Sequence, residues 1–350
     1  MSERPFIRCG SVRGGIRRSG SPAGFTLIEL MIAMLLGLIV IAGVVSVFLA
    51  GQQTYRTNQA LGDVQDGSRI AFEIMANDIR HAGLLGCSNN GQVANVLNNG
   101  PGMGGTAWWA NWGNALRGYG AGSATPDPQL TVGTATGQQL AGTDSLMLLS
   151  AADSGLSIAS NNQAGAQFTL NQTSTDMKVG DVMIVCDPHH AAIFKVTSYT
   201  PSSKTLNYAY KSDTTGNCST GLGFPSVCTP AGNAYTFGAN SPIVKLAASD
   251  WYIGNNGLAG GRSLYRLEIS TSDGTAAAQE MVRDVTAMNI KYHQSPQAKF
   301  VPVNEVTDWS KVDAAQVTLT VQSTDKRVGT DAKSIQRIFA VTSTARNRVN

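Results

Sequence analysis

Charge is scarce in this 350-residue chain: Asp, Glu, Lys and Arg together make up 14% of it. No Lys/Arg-rich run follows residue 24, so the electrostatic footprint of a nucleic-acid binder is missing. Histidine is rarer still, with only His81, His189, His190 and His293. Asp187-Pro188-His189-His190 lacks any zinc-enzyme spacing, and a polar turn between two strands explains it as well. No C-x-x-C pair exists. Ser323-Thr324-Asp325-Lys326 fits S-x-x-K only formally. Gly118-Tyr119-Gly120 has neither the Lys-Ser/Thr nor the strand-to-helix context of a phosphate loop. Catalysis, metal binding and cofactor binding are thus left without a motif, and the expectation is a non-enzyme that holds no cofactor.

What is present is one long apolar run, residues 25–50, containing a single carboxylate, Glu29. At ~1.5 Å per residue it makes a helix of ~39 Å, enough to cross a ~30 Å hydrocarbon core. The apolar region of a cleaved secretory signal is shorter, about 7–15 residues. No small-x-small cleavage site follows either, because Phe48 stands two places before Ala50. Ahead of the run, residues 1–24 carry Arg4, Arg8, Arg13, Arg17 and Arg18 against Glu3, a net +4. Positive charge before a span stays cytoplasmic, which sends the remainder to the periplasmic side. Subtracting that +4 from the chain's +3 leaves about −1, so the basic character belongs to the leader.

A lone charge in a span costs about 2.5–3.5 kcal/mol on insertion scales, so it is a functional candidate whose partner must be named. The partner type available is a cation in the same apolar layer. Cleavage after Gly24 would create one, the α-amino group of Phe25, and Glu29 can reach that of a neighbouring subunit. Gly24-Phe25-Thr26-Leu27-Ile28-Glu29 followed by an apolar helix resembles the signal of type IV pilins and pseudopilins. The resemblance implies that a prepilin peptidase cuts after Gly24 and methylates Phe25. It also implies that Glu29 pairs with the N-terminus of an adjacent subunit during polymerisation. The leader is longer than many in that family.

Beyond the span the helix continues to about residue 82. Leu61, Val64, Ser68, Ala71, Met75 and Ile79 recur at steps of three and four, with Phe72 and Ile74 broadening the stripe. Arg80 and His81 suit a helix C-terminus, and Gly83 can cap it. Gly37, Gly43 and Gly51 read either as points of local weakness or as sites of close helix packing in the membrane. Residues 88–128 hold nine Gly and seven Asn and read as irregular. Trp108, Trp109 and Trp112 there are either a contact surface or, the reading we favour, buried anchors of the loop.

The rest reads as strands: 144–149, 181–186, 192–199, 205–210, 243–252, 263–269, 288–293, 316–321 and 335–342. Val317, Leu319 and Val321 alternate clearly with Thr318, Thr320 and Gln322. Cys9 lies in the leader; Cys87, Cys186, Cys218 and Cys228 remain, an even count that suits disulfides in an oxidising compartment. Three pairings are open. We favour Cys218–Cys228 around a short Gly/Pro loop, leaving Cys87–Cys186 to tie the helix end to a strand.

The expected fold is α+β. A long N-terminal helix, transmembrane over 25–50 and amphipathic to 83, packs on an antiparallel β-rich domain over 84–350, after a leader of 1–24. Gly142 to Leu146, Gly180-Asp181 with Ala192 to Thr197, Ser263 to Arg266, Val285 to Tyr292 and Thr344-Ala345-Arg346-Asn347-Arg348 resemble the PilW family of minor pilins. That resemblance implies a type IV pilus subunit working in assembly initiation or the tip complex, and so in twitching motility and adhesion. Its implied partners are other minor pilins, the major pilin, a tip adhesin-like protein, the prepilin peptidase and the inner-membrane assembly platform. The chain would sit single-pass in the inner membrane and then in the pilus. Pseudopilin J of type II secretion shares the N-terminus but is typically shorter. A membrane-anchored periplasmic enzyme or binding protein would need a convergent polar cluster that the sequence does not display.

Overall fold

The computed structural model describes residues 24–87, 92–100, 107–121, 127–325, 327–328 and 333–348. The leader arginines with Glu3 and Cys9, and Lys326 beside Ser323, lie outside the described residues. The chain divides into two compact units, Met1–Tyr55 and Arg56–Asn350.

One helix, α1 (Leu27–His81), runs 55 residues. Every residue from 27 to 50 is exposed, and by length and composition this part can cross a membrane. The later part is one-sided: Ala60, Val64, Ser68, Ala71, Met75 and Ile79 are buried. The stripe therefore enters at Ala60 rather than at Leu61, which is only half-buried. Gly83 ends the helix in the left-handed region, at φ +76°. Its N–H donates to the Leu149 carbonyl at 2.9 Å, so the cap also pins the helix end to a strand.

Among the described residues fifteen strands follow. β1 (Gln92–Asn95), β2 (Leu116–Tyr119), β3 (Ser145–Asn162), β4 (Gln167–Leu170) and β5 (Val182–Cys186) come first. β6 (His190–Lys195), β7 (Ser198–Thr200), β8 (Thr205–Asn207), β9 (Pro242–Asn255) and β10 (Arg262–Ile269) continue the series. β11 (Ala276–Arg283), β12 (Val285–Gln294), β13 (Phe300–Pro302), β14 (Val312–Gln322) and β15 (Gln336–Thr344) close it. The first eleven form one sheet, in the order β1-β6-β5-β9-β3-β4-β8-β7, with β2 on β3 and β10–β11 on β9. The last four form a second sheet, β13-β12-β14-β15. Pairing is antiparallel except that β1 runs parallel to β6.

The central strands are buried on both faces, which is why 146–149 reads as an unbroken apolar run rather than an alternation. Leu146, Leu148, Trp251, Ile253 and Leu264 face α1 and the second sheet's Met288, Ile290, Val317 and Leu319. Met147, Leu149, Tyr252, Tyr265 and Leu267 face the other way, onto Leu85, Trp108 and Trp109. Both indoles are buried, so this loop is anchored rather than presented.

Two short strands, β1 and β2, lie inside the stretch expected to be irregular; four residues each carry too little periodicity to announce themselves. The expected strand 192–199 breaks after Lys195, where Val196 N–H turns to the Asp181 carbonyl and Thr197 N–H to that of Asn207. β3 shifts register between Ala152 and Leu156, so one strand serves β9 with its first part and β4 with its last.

Candidate assembly site

The N-terminal end of α1 is built by Thr26. Its Oγ1 accepts from the Glu29 N–H at 3.3 Å, and its carbonyl accepts from Glu29 and Leu30 N–H, both at 3.1 Å. Thr26-x-x-Glu29 is the spacing of a capping box, and a carboxylate in the first turn also answers the positive end of the helix dipole. Among the described residues Glu29 makes no ion pair. Gly24 and Phe25 precede the helix, and Phe25 is 81% exposed.

The four cysteines pair as Cys87–Cys186 and Cys218–Cys228, with Cα separations of 6.1 and 4.8 Å. The first ties the helix exit to the end of β5, the second closes the ten-residue loop. That loop is held by the turn at Asp187. Asp187 Oδ1 accepts from the N–H groups of His189 (2.9 Å) and His190 (2.8 Å), and Tyr235 Oη donates to Oδ2 at 2.6 Å. Burial opposes ionisation there, but these hydrogen bonds outweigh it and hold the carboxyl below its usual range. His190 lies buried, its Nε2 2.6 Å from the Leu222 carbonyl and its ring 4.1 Å from that of Tyr235. The Asp-Pro-His-His segment is a turn that supports a disulfide loop. His81 is exposed at the helix end, and His293 Nδ1 lies 2.5 Å from Asp313. Among the described residues no group of three or more His, Cys, Asp or Glu is arranged to hold a metal ion.

On α1, Asp78 Oδ2 accepts from Trp251 Nε1 at 3.0 Å and from Arg266 Nε at 2.9 Å. Desolvation still raises its pKa, against the pull of Arg266 and Trp251. At the C-terminus Arg348 donates from Nη1 to the Trp309 carbonyl (2.7 Å) and from Nη2 to that of Gly113 (2.9 Å). It packs beside Gly83, and burial pushes its pKa down to about 10, with Asp308 opposing. The closing Arg-Asn-Arg is therefore a clasp over the helix end.

Sequence reasoning missed Asp250. It is wholly buried in the middle of β9, and neither carboxyl oxygen has a hydrogen-bond partner of good geometry among the described residues. Desolvation raises its pKa well above the carboxylate range, and the neighbouring Asp127 carboxyl adds to the rise. Asp127 is itself buried and accepts from Ser145 Oγ at 2.6 Å. Tyr119, raised to about 12 by burial, feels Arg117, Asp127 and Asp250. Among the described residues Tyr292 Oη is also buried without a partner, and any side chain at Gly118 would collide with it, a Cβ falling 1.8 Å away.

A carboxyl whose folded pKa exceeds its unfolded value binds more protons folded than unfolded between the two. Its contribution is full at the acid end and falls as pH rises through that window, which opens at about pH 4. Asp250→Asn should therefore raise the melting temperature at pH 7, by about 2–4 °C per kcal/mol recovered, and change little at pH 4. Melting curves of the two proteins across pH check this; a lower melting point than wild type at pH 7 would mean an ionised, paired Asp250.

Two family models match the chain. Residues 21–45 match the prokaryotic N-terminal methylation motif, which contains the capped start of α1. Residues 250–348 match Type IV pilus-assembly protein W. The match to PilW covers 99 of the chain's 350 residues, its C-terminal part. No curated protein and no solved structure matches it. The PilW block begins at Asp250 and runs through β10 to β15. It supplies Trp251 and Arg266, which grip Asp78, and Arg348, which clasps the helix end. The chain is accordingly a pilin of the type IV pilus class with an N-terminal apolar anchor helix.

Proposed function

We propose that this chain is a PilW-family pilin, a non-enzymatic minor subunit that helps to initiate or cap the pilus, and through it serves twitching motility and adhesion. The observation that carries the reading is the start of α1. A Thr26-capped, fully exposed apolar half-helix follows Gly24-Phe25 directly and holds one carboxylate a single turn in. Such a surface needs lipid or other apolar helices around it. The proposed topology has residues 1–24 cytoplasmic and the β-rich domain periplasmic until assembly. The proposed partners are other minor pilins, the major pilin, a tip adhesin-like protein, the prepilin peptidase and the inner-membrane platform. The PilW match favours a pilus over a secretion pseudopilin.

Processing tests the reading. The mature chain should begin at Phe25, N-methylated, because Gly24 alone stands before the Phe-Thr-Leu-Ile-Glu run. N-terminal peptide masses from the membrane fraction decide it: assembly-competent protein that keeps residues 1–24 would overturn the proposal.

A further inference from the structure

A sheet edge with unpaired N–H and C=O groups invites pairing with another chain, and proteins normally guard such edges. Most edges here are guarded. β7 and β13 run three residues each, β13 ending in Pro302, and β1 and β2 run four. β11 is eight residues long, but β10 breaks register against it beside Leu264, and it carries Glu280 and Arg283. β15 lacks proline and any break of register, with Arg337 as its one charge. It runs nine residues, paired with β14 from Gln336 to Thr344. Among the described residues no strand pairs with its outer side. Its centre is Ile338-Phe339-Ala340-Val341, with Ile338 72% and Val341 37% exposed. Phe339 packs only partly on the core between α1 and the second sheet.

Charge selects the occupant. From 333 to 350 the sequence carries Lys333, Arg337, Arg346 and Arg348 and no Asp or Glu. Arg348 is turned inward, while Arg337 and Arg346 are exposed. A second copy pairing here would set like charges against each other, which destabilises a strand pair. We propose that β15 receives an extended acidic strand from another pilus subunit, which joins the second sheet as its fifth strand. This rests on the pilus-assembly reading above. Main-chain hydrogen bonds supply the affinity. Apolar side chains of the incoming strand cover Phe339 and Val341, and a carboxylate further along the same face lies against Arg337, which shares that face of β15.

The test uses the full chain in detergent micelles and two synthetic twelve-residue peptides with Thr on one face and, on the other, Val together with Glu (Glu/Val) or Val together with Lys (Lys/Val). The Glu/Val peptide should bind saturably, at least tenfold tighter, and slow hydrogen exchange at alternate amides of β15. Arg337→Glu, at an exposed site, should invert the preference between peptides without moving the melting temperature. Successive residues alternate their N–H between β14 and the open side, so one of Ala340→Pro and Val341→Pro blocks the edge while keeping the ladder. The variant with the unchanged melt should lose the Glu/Val peptide and lower pilus number at least threefold in a deletion strain. Equal binding of both peptides, no protection at β15, or dimerisation of the chain through β15 would overturn the proposal. Normal piliation by the edge-blocked variant alongside a defect from Glu29→Leu would overturn it and leave the pilus reading standing. If neither variant affects pili, the pilus reading itself fails.

Discussion

Glu29→Leu should leave the chain inserted and cleaved yet cut recovery of partner pilins roughly tenfold, the effect of losing ~1.4 kcal/mol of pairing. The argument rests on depth. Glu29 lies one turn into an apolar half-helix with no ion-pair partner among the described residues. A carboxylate there is penalised until it meets a cation. The amino terminus of a neighbouring pilin would present one at nearly the same level, and a slip along the helices would separate the charges. Pairing therefore also fixes axial register. Gln keeps the size and some hydrogen bonding of Glu29 but removes the charge, whereas Leu removes both. Glu29→Gln should fall between wild type and Leu. Pull-down and pilus counts at matched expression measure this. Full recovery and piliation for both variants would confine Glu29 to the processing enzyme, and a wild-type result for Gln alone would show that hydrogen bonding rather than charge carries its role.

The second large effect is expected at the disulfides, and the two should differ. Cross-linking restricts the unfolded chain more the longer the loop it closes. Cys87 and Cys186 are 99 residues apart, Cys218 and Cys228 only ten. On the chain-entropy account the first bond contributes about 4–5 kcal/mol and the second about 3 or less. Cys87→Ala with Cys186→Ala should lower the melting temperature by about 10 °C, and the Cys218/Cys228 pair by clearly less. Alanine is preferred to serine because Cys186 and Cys218 are buried, and a hydroxyl there would add a desolvation cost of its own. Calorimetry on the two double variants makes the comparison. Equal drops would mean that local packing, not loop length, sets the contribution. Thiol titration of the unreduced, unfolded wild type should find none of the four cysteines free.

The chain's local rules determined much of this protein. The 3.6-residue stripe through Val64, Ser68, Ala71, Met75 and Ile79 fixed which face of α1 is buried, and Gly83 fixed where it stops. The alternation of Val317, Leu319 and Val321 with threonines fixed the inner face of β14. The N-terminal motif was legible because its signal is chemical and contiguous. Tertiary structure decided the rest. A period of two says which side a residue faces, not which strand lies beside it. The parallel seat of β1 on β6 and the open flank of β15 were therefore invisible. Asp250 escaped for a related reason. β9 is buried on both faces, so its sequence does not alternate, and a carboxylate in it carries no mark of being wrapped by Asp127, Tyr252 and Tyr292. Arg348 sits 235 residues from the Gly113 carbonyl that it binds. Only folding, which trades chain entropy for such distant contacts, could bring the last turn of the chain onto the end of its first helix.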